Sequence, residues 1–214
     1  MSARLAERTG CEFHDVNDPE ALTLGRLESL SPRYVFFPHW SRKIPADIYT
    51  RYECVVFHMT DVPFGRGGSP LQNLILSGAT ATKLTALKCV EEMDAGPVYL
   101  KRDLSLEGSA TQIFARCVPL IEDMIAEMIQ REPEPVPQVG EPTHFARRRP
   151  EQSDLSGLED VGRVHDHIRM LDADGYPHAF LETEDLRLEF TDAALDGEAV
   201  SATVRITRRS DSES

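Results

Sequence analysis

Two hydrophobic patterns alternate along the first 131 residues. Tyr34-Val35-Phe36-Phe37 and Cys54-Val55-Val56-Phe57 are continuous apolar runs without polar alternation. Such runs predict strands of a sheet covered on both faces. Around them the spacing becomes helical. Leu22, Leu27 and Leu30 predict a helix from Asp18-Pro19 to Ser31-Pro32, and a short helix is expected over 46–51. Ser69-Pro70 opens a helix to about Ser77, closed by Gly78. Thr82 to Val90 reads as a strand, with Pro97 to Lys101 as its hairpin partner. Ser109-Ala110-Thr111-Gln112 is a capping box. The long helix that follows carries Ile113, Cys117, Leu120, Ile121, Met124, Ile125 and Met128 on one side, its methionines read as core filling. This order predicts an α/β, doubly wound Rossmann-like sheet domain over residues 1–131.

Residues 132–142, Glu-Pro-Glu-Pro-Val-Pro-Gln-Val-Gly-Glu-Pro, predict a stiff extended linker that cannot be helical. Residues 143–209 then predict a small C-terminal α+β appendage. It has a helix from about Leu158 to Leu171 and strand-like runs at His178 to Phe190 and Ala199 to Thr207. The polar end, 210–214, is expected to be disordered. At the other end, Met1 to Arg8 reads as the tail of a helix, where a doubly wound domain normally begins with a strand. The domain looks short by roughly 30 residues, the size of one strand–helix unit. An edge uncovered in this way is expected to recruit a second copy as a homodimer.

The 214 residues suit one or two domains, and 23 Lys and Arg against 36 Asp and Glu give a net charge of −13. That balance repels phosphate backbones and makes nucleic acid an unlikely partner. The dense basic cluster is Arg147-Arg148-Arg149. It reads either as a solvated loop or as a contact of Arg147 and Arg148 with the phosphate of a nucleotide-linked substrate. Cys11, Cys54, Cys89 and Cys117 show no Cys-x-x-Cys spacing and read as buried free thiols of a reducing compartment. His165 and His167 fall on different helix faces, so no metal site is expected. Without a signal peptide or an 18-residue apolar run, a cytoplasmic protein outside the membrane is expected.

Candidate chemistry concentrates in one stretch, Val55-Val56-Phe57-His58-Met59-Thr60-Asp61-Val62-Pro63-Phe64-Gly65-Arg66-Gly67-Gly68-Ser69-Pro70, and in Met93-Asp94-Ala95-Gly96-Pro97 downstream. An apolar strand delivers a histidine into a glycine-rich loop that opens a helix, as α/β sheets do when they present a reactive group at their carboxyl edge. The stretch resembles the folate-dependent formyltransferases. Their signature is Asn-x-His, a Ser-Leu-Leu-Pro-x-x-x-Gly loop and a later Asp-x-Gly. On this resemblance His58 falls on the catalytic histidine and Asp94 on the catalytic aspartate. Thr60, Pro63, Arg66, Gly67 and Pro70 fall on loop positions. The departure is Val56, where the family carries a catalytic asparagine. Weaker similarity runs from about Tyr34 to Gly96, and Ile168-Arg169-Met170-Leu171-Asp172 looks like the helix that begins the family's C-terminal part.

The resemblance implies N10-formyltetrahydrofolate as co-substrate and a primary amine as acceptor. The attacking amine must lose a proton, the departing N10 must gain one, and charge on the formyl oxygen needs a donor. Histidine suits the proton transfers, with a carboxylate to orient it. Losing one oxyanion donor typically costs about 10²–10³ in rate. Asn73, His39 and Trp40 are the candidates to replace the donor absent at Val56, with Asn73 preferred. His39, Trp40, Asp61, Pro63, Arg66, Gly67, Gly68 and Met93 are expected to line the folate pocket, the glycines leaving room for a flat pterin. The expected acceptor is a nucleotide-linked amino sugar. The alternatives are methionyl-tRNA formylation or a catalytically degenerate folate-binding or interaction protein.

Overall fold

A computed structural model describes residues 1–40 and 42–209, so the expected tail at 210–214 lies outside the described residues. The chain divides into two compact units: Met1–Pro70 with Thr82–Leu104 and Arg116–Phe145, and Leu71–Ala81 with Ser105–Ala115 and Ala146–Ser214. This grouping differs from a boundary at 131/132. The proline-rich segment belongs wholly to the first unit, where Val136 exchanges two 2.8 Å backbone hydrogen bonds with Val98. Alternating prolines keep that backbone extended, and an extended backbone can pair with a strand edge.

The first unit opens with helix α1 (Ser2–Thr9), a 3-10 turn at Pro19–Ala21 and helix α2 (Leu24–Leu30). The helix expected across 19–30 is therefore broken. Thr23 is extended at φ −120° and ψ 151°, and its side chain caps Arg26 N–H, while Asp18 caps the preceding turn. Two successive capping residues start two short helices instead of one long one. Strand β1 (Tyr34–Phe37), helix α3 (Ala46–Tyr49) and strand β2 (Glu53–His58) follow as expected. The short strand β3 (Arg66–Gly67) precedes helix α4 (Pro70–Leu76), strands β4 (Ala81–Lys88) and β5 (Val98–Ser105), and helix α5 (Ala110–Arg131). Strand β6 (His144–Phe145) pairs parallel to β3.

The main sheet has the order β1-β2-β4-β5, with β1 and β2 parallel and β4 antiparallel to β2. The fold is α/β, and the sheet is mixed. Adjacent residues of a strand point to opposite faces. Cys54 and Val55 are both 0% exposed, and Leu84, Thr85, Ala86 and Leu87 are all buried, so the sheet is covered on both sides. Within α5, Cys117, Met124 and Met128 are fully buried, and the Cys117 sulfur lies 3.5 Å from that of Met59. Arg4 and Arg8 of α1 pair with Glu122 and Asp123 of α5.

The second unit contains α4, the capping box of α5 and the C-terminal elements. Ser109 N–H donates to Gln112 Oε1 at 3.0 Å, and Gln112 N–H donates back to Ser109 Oγ at 3.4 Å. Helix α6 (Val161–Arg169) is capped by Asp160, three residues inside the expected start. A three-stranded antiparallel sheet follows in the order β7 (Ala179–Glu182), β8 (Leu186–Asp196), β9 (Ala199–Arg208). The single run expected over 178–190 is two strands. Thr183 N–H donates to Leu186 O at 2.8 Å and Thr183 Oγ1 accepts from Leu186 N–H at 3.1 Å, which closes a turn between them.

Among the described residues no helix is long and apolar enough to cross a membrane, and no group of His, Cys, Asp and Glu could hold a metal ion. All four cysteines are free. Cys54 and Cys117 are buried, but Cys11 is exposed beside the glycine that ends α1, which corrects the expectation of burial for all four. Burial pushes the Cys54 and Cys117 thiols up to about 12, and burial is also the main cause that raises Cys89. Only thiolate attacks a disulfide reagent. A native sample at pH 8 should therefore release colour quickly from Cys11 and slowly from the other three, and from all four at one rate in guanidinium. Rapid native labelling of Cys54 or Cys117, read by peptide mass, contradicts this packing.

Candidate active site

Strand alternation places Cys54, Val56 and His58 on one face of β2. Val56 packs against the cluster of Leu27, Phe37, Ile44, Ile48 and Cys54, and Trp40 packs on the same cluster. Two residues further on, the His58 ring is 7% exposed, with Nε2 2.8 Å from the Gly65 carbonyl. A carbonyl only accepts, so Nε2 carries the ring proton and donates it to Gly65 O. The other ring nitrogen, Nδ1, faces Asp94 Oδ2 at 3.5 Å. That same Oδ2 accepts the Gly67 N–H at 2.9 Å. The histidine and aspartate expected to work together are thus brought together, both almost fully enclosed.

The loop that supplies Gly65 and Gly67 is held at several points. It starts with a turn in which Phe64 N–H donates to Asp61 O, across a cis Val62–Pro63 bond. Lys101 pairs with Asp61 and donates to Val62 O at 2.7 Å. Segment 143–145 runs alongside: Gly65 N–H donates to Thr143 Oγ1 at 2.8 Å, Arg66 N–H to Thr143 O at 3.0 Å, and Gly68 N–H to Phe145 O at 3.1 Å. Phe64 and Phe145 meet edge to face, 5.4 Å between centroids. This pairing changes the reading of the glycines. At Gly67, with φ +102°, an added Cβ would lie 2.6 Å from Phe145 O. The absent side chain leaves room for the protein's own strand.

Asp94 lies in a tight turn at φ 56°, a left-handed conformation that costs an L-residue roughly 1–2 kcal/mol. At Gly96 a Cβ would fall 1.8 Å from Lys88 O, which explains the glycine of Asp-x-Gly by the closeness of the turn to the end of β4. Gln138 Nε2 donates to both Asp94 O and Gly96 O at 2.8 Å. Its Oε1 accepts from Arg66 Nε at 3.1 Å and from an Arg66 terminal nitrogen at 2.8 Å, while Glu92 takes the other end of that guanidinium at 3.0 Å. The negative field of Asp94 reaches Cys89, where it adds to burial in raising the thiol.

Of the expected folate-pocket residues, Pro63, Arg66, Gly67 and Gly68 belong to this loop and Asp61 opens it, while Met93 adjoins Asp94 and is 63% exposed. His39 is exposed at φ 55°. Trp40 is half-buried, and its Nε1–H has no hydrogen-bond partner among the described residues. Asn73, Arg147 and Arg148 belong to the second unit, where Asn73 Nδ2 donates to Ala146 O at 3.1 Å. Sequence reasoning passed over Gln138, Thr143, Phe145 and Glu92. The proline spacing of 132–142 signalled an extended backbone, but no local signal says which strand edge it meets.

The C-terminal part of the chain, residues 150–207, matches the family described as "Methionyl-tRNA formyltransferase, C-terminal domain". The solved structure of "Methionyl-tRNA formyltransferase from Clostridium thermocellum" is 42% identical, superposes with a TM-score of 0.93, and is matched over 97% of this chain and 93% of its own. Curated methionyl-tRNA formyltransferases from Thermotoga maritima and Thermodesulfovibrio yellowstonii are 28% and 22% identical over 54% and 81% of this chain. The chain spans 38% and 59% of those two relatives' lengths. It belongs to the folate-dependent formyltransferase family.

The two glycine contacts generate a stability prediction. Gly67→Ala and Gly96→Ala should each lower the unfolding free energy by about 2–4 kcal/mol, from left-handed strain at Gly67 and overpacking at both. Gly10→Ala, at φ +71° with nothing within 4 Å, should cost only about 1 kcal/mol. Urea unfolding followed by circular dichroism checks this, and equal costs at all three positions contradict it.

Proposed function

We propose that the protein transfers a formyl group from N10-formyltetrahydrofolate to a primary amine, with His58 as the proton carrier. The observation that supports this most is the enclosed His58 ring between the Gly65 carbonyl and Asp94. Nε2–H is committed to Gly65 O, so the lone pair at Nδ1 receives the proton of the attacking amine. The imidazolium so formed is held by Gly65 O on one side and the Asp94 carboxylate on the other. As the bond from the acceptor nitrogen to the formyl carbon forms and the bond to N10 breaks, His58 returns that proton to N10. Asp94, facing Nδ1 at 3.5 Å, fixes the ring's orientation.

Family membership supports folate as the donor, and the polar inventory fits it. Trp40 Nε1–H and Thr60 Oγ1 are buried without hydrogen-bond partners among the described residues. Both follow the carboxyl ends of the parallel pair β1 and β2, where α/β sheets hold ligands. A pterin edge offers a partner to Thr60 Oγ1. Trp40 Nε1–H is also the leading replacement for the donor absent at Val56, because it packs on the same cluster as Val56 with its proton unspent. Asn73 is the alternative, though its amide is engaged by Ala146.

For the acceptor, 42% identity to a chain named methionyl-tRNA formyltransferase puts the methionyl amine of charged tRNA first. One observation favours a nucleotide-linked amino sugar as the second reading: a net charge of −13 opposes docking of a polyanion. Arg147 and Arg148 are then the proposed phosphate contacts.

The test incubates the protein with N10-formyltetrahydrofolate and either charged methionyl-tRNA or a panel of amino-sugar nucleotides, and reads the added formyl mass. One acceptor should be formylated. His58→Ala and Asp94→Ala should each slow that transfer by about 10²–10⁴ with melting temperatures close to wild type. Folate binding without turnover on any acceptor identifies a degenerate relative, and near-native rates in either variant remove the catalytic assignment.

A further inference from the structure

We infer that Gln138 is the positioning residue of the His58–Asp94 pair, a role whose catalytic consequence rests on the formyl-transfer reading above. Its amide is saturated: two donated bonds to Asp94 O and Gly96 O, and two accepted from Arg66. The chemistry around it fixes which way the amide points. Two backbone carbonyls face one end and two guanidinium N–H groups face the other, so a flipped amide would set donor against donor and acceptor against acceptor.

The consequence follows from what those partners do. Asp94 holds a left-handed backbone, which persists only where the surroundings over-determine it. Gln138 grips the carbonyls of Asp94 and Gly96, and so clamps the turn that aims the carboxylate. Through Arg66 it also grips the loop that supplies both remaining partners of the pair, Gly65 O for the His58 ring and Gly67 N–H for Asp94 Oδ2. One side chain therefore joins the two loops that the catalytic pair bridges. Its own reach is set by the two backbone bonds between Val136 and Val98. Gln138 makes none of its hydrogen bonds to the reacting side chains, so it acts by placement alone.

Gln138→Glu separates placement from simple tethering. The carboxylate has the same size and still holds Arg66, but it sets an oxygen against the carbonyls of Asp94 and Gly96. Gln138→Ala removes both grips. Both variants should lose about 10–100-fold in kcat, because small misplacements of a reacting group carry losses of that order. KM for the formyl donor should stay within about threefold. Exchange of the Gly67 amide proton, followed by NMR, should accelerate in both variants as its bond to Asp94 loosens. A Gln138→Glu enzyme with native kcat and native Gly67 exchange overturns the proposal, and so does loss confined to an alanine variant that melts early. If the wild type formylates no acceptor, the functional reading falls, and Gly67 exchange in Gln138→Glu still decides whether Gln138 holds the pair.

Discussion

Asp94 Oδ2 accepts one backbone N–H and faces one imidazole nitrogen, and the local architecture is built to keep it there. Enclosing a carboxylate removes water that would otherwise solvate it, a cost that must be met by hydrogen bonds and charge. Here the compensation comes from Gly67 N–H and, once protonated, from His58. Gly67 N–H, and the Gly65 carbonyl that holds the His58 ring at the end of β2, arrive from a loop whose shape is set elsewhere, by Lys101 on Asp61 and Val62, and by Thr143 and Phe145 along its length. The strand–loop motif is therefore incomplete by itself. Its geometry needs a segment more than 70 residues later, as the 72-residue separation of the Arg66–Gln138 bond shows.

In both units, legibility follows the range of the interactions involved. β1, β2 and the start of α4 were readable because a continuous apolar run and a Ser-Pro start are local signals. The capping box at Ser109 and Gln112 was readable for the same reason, and both of its hydrogen bonds form. His58 and Asp94 were readable only through the resemblance, since a lone histidine at a strand end and an aspartate before a glycine carry no chemistry alone. The 19–30 helix was misread because Thr23, a second cap, outweighs the leucine spacing around it. The 178–190 run was misread because a tight turn closed by Thr183 needs neither glycine nor proline.

The proline-rich segment is the instructive miss. Read as a spacer, it instead supplies Gln138, a glutamine with all four hydrogen-bonding positions used, and leads into β6, which pairs with the glycine loop. Prolines removed its helical option and left an extended backbone with a few free donors and acceptors. Those groups had to be paired somewhere once buried. Sequence states the requirement and leaves the partner to tertiary structure. The same holds for the glycines of the loop, whose missing side chains accommodate Phe145.

The central claim is that His58 and Asp94 act as one unit, with the carboxylate working only through the ring it faces. A double-mutant cycle on the transfer rate measures this directly, comparing His58→Ala, Asp94→Ala and the double variant with wild type under single-turnover conditions. Residues that act together are non-additive. The double variant should be about as slow as the slower single variant, a coupling that cancels most of one mutation's effect. If the two losses instead multiply, the residues act independently and the account of the site given by their 3.5 Å approach is contradicted.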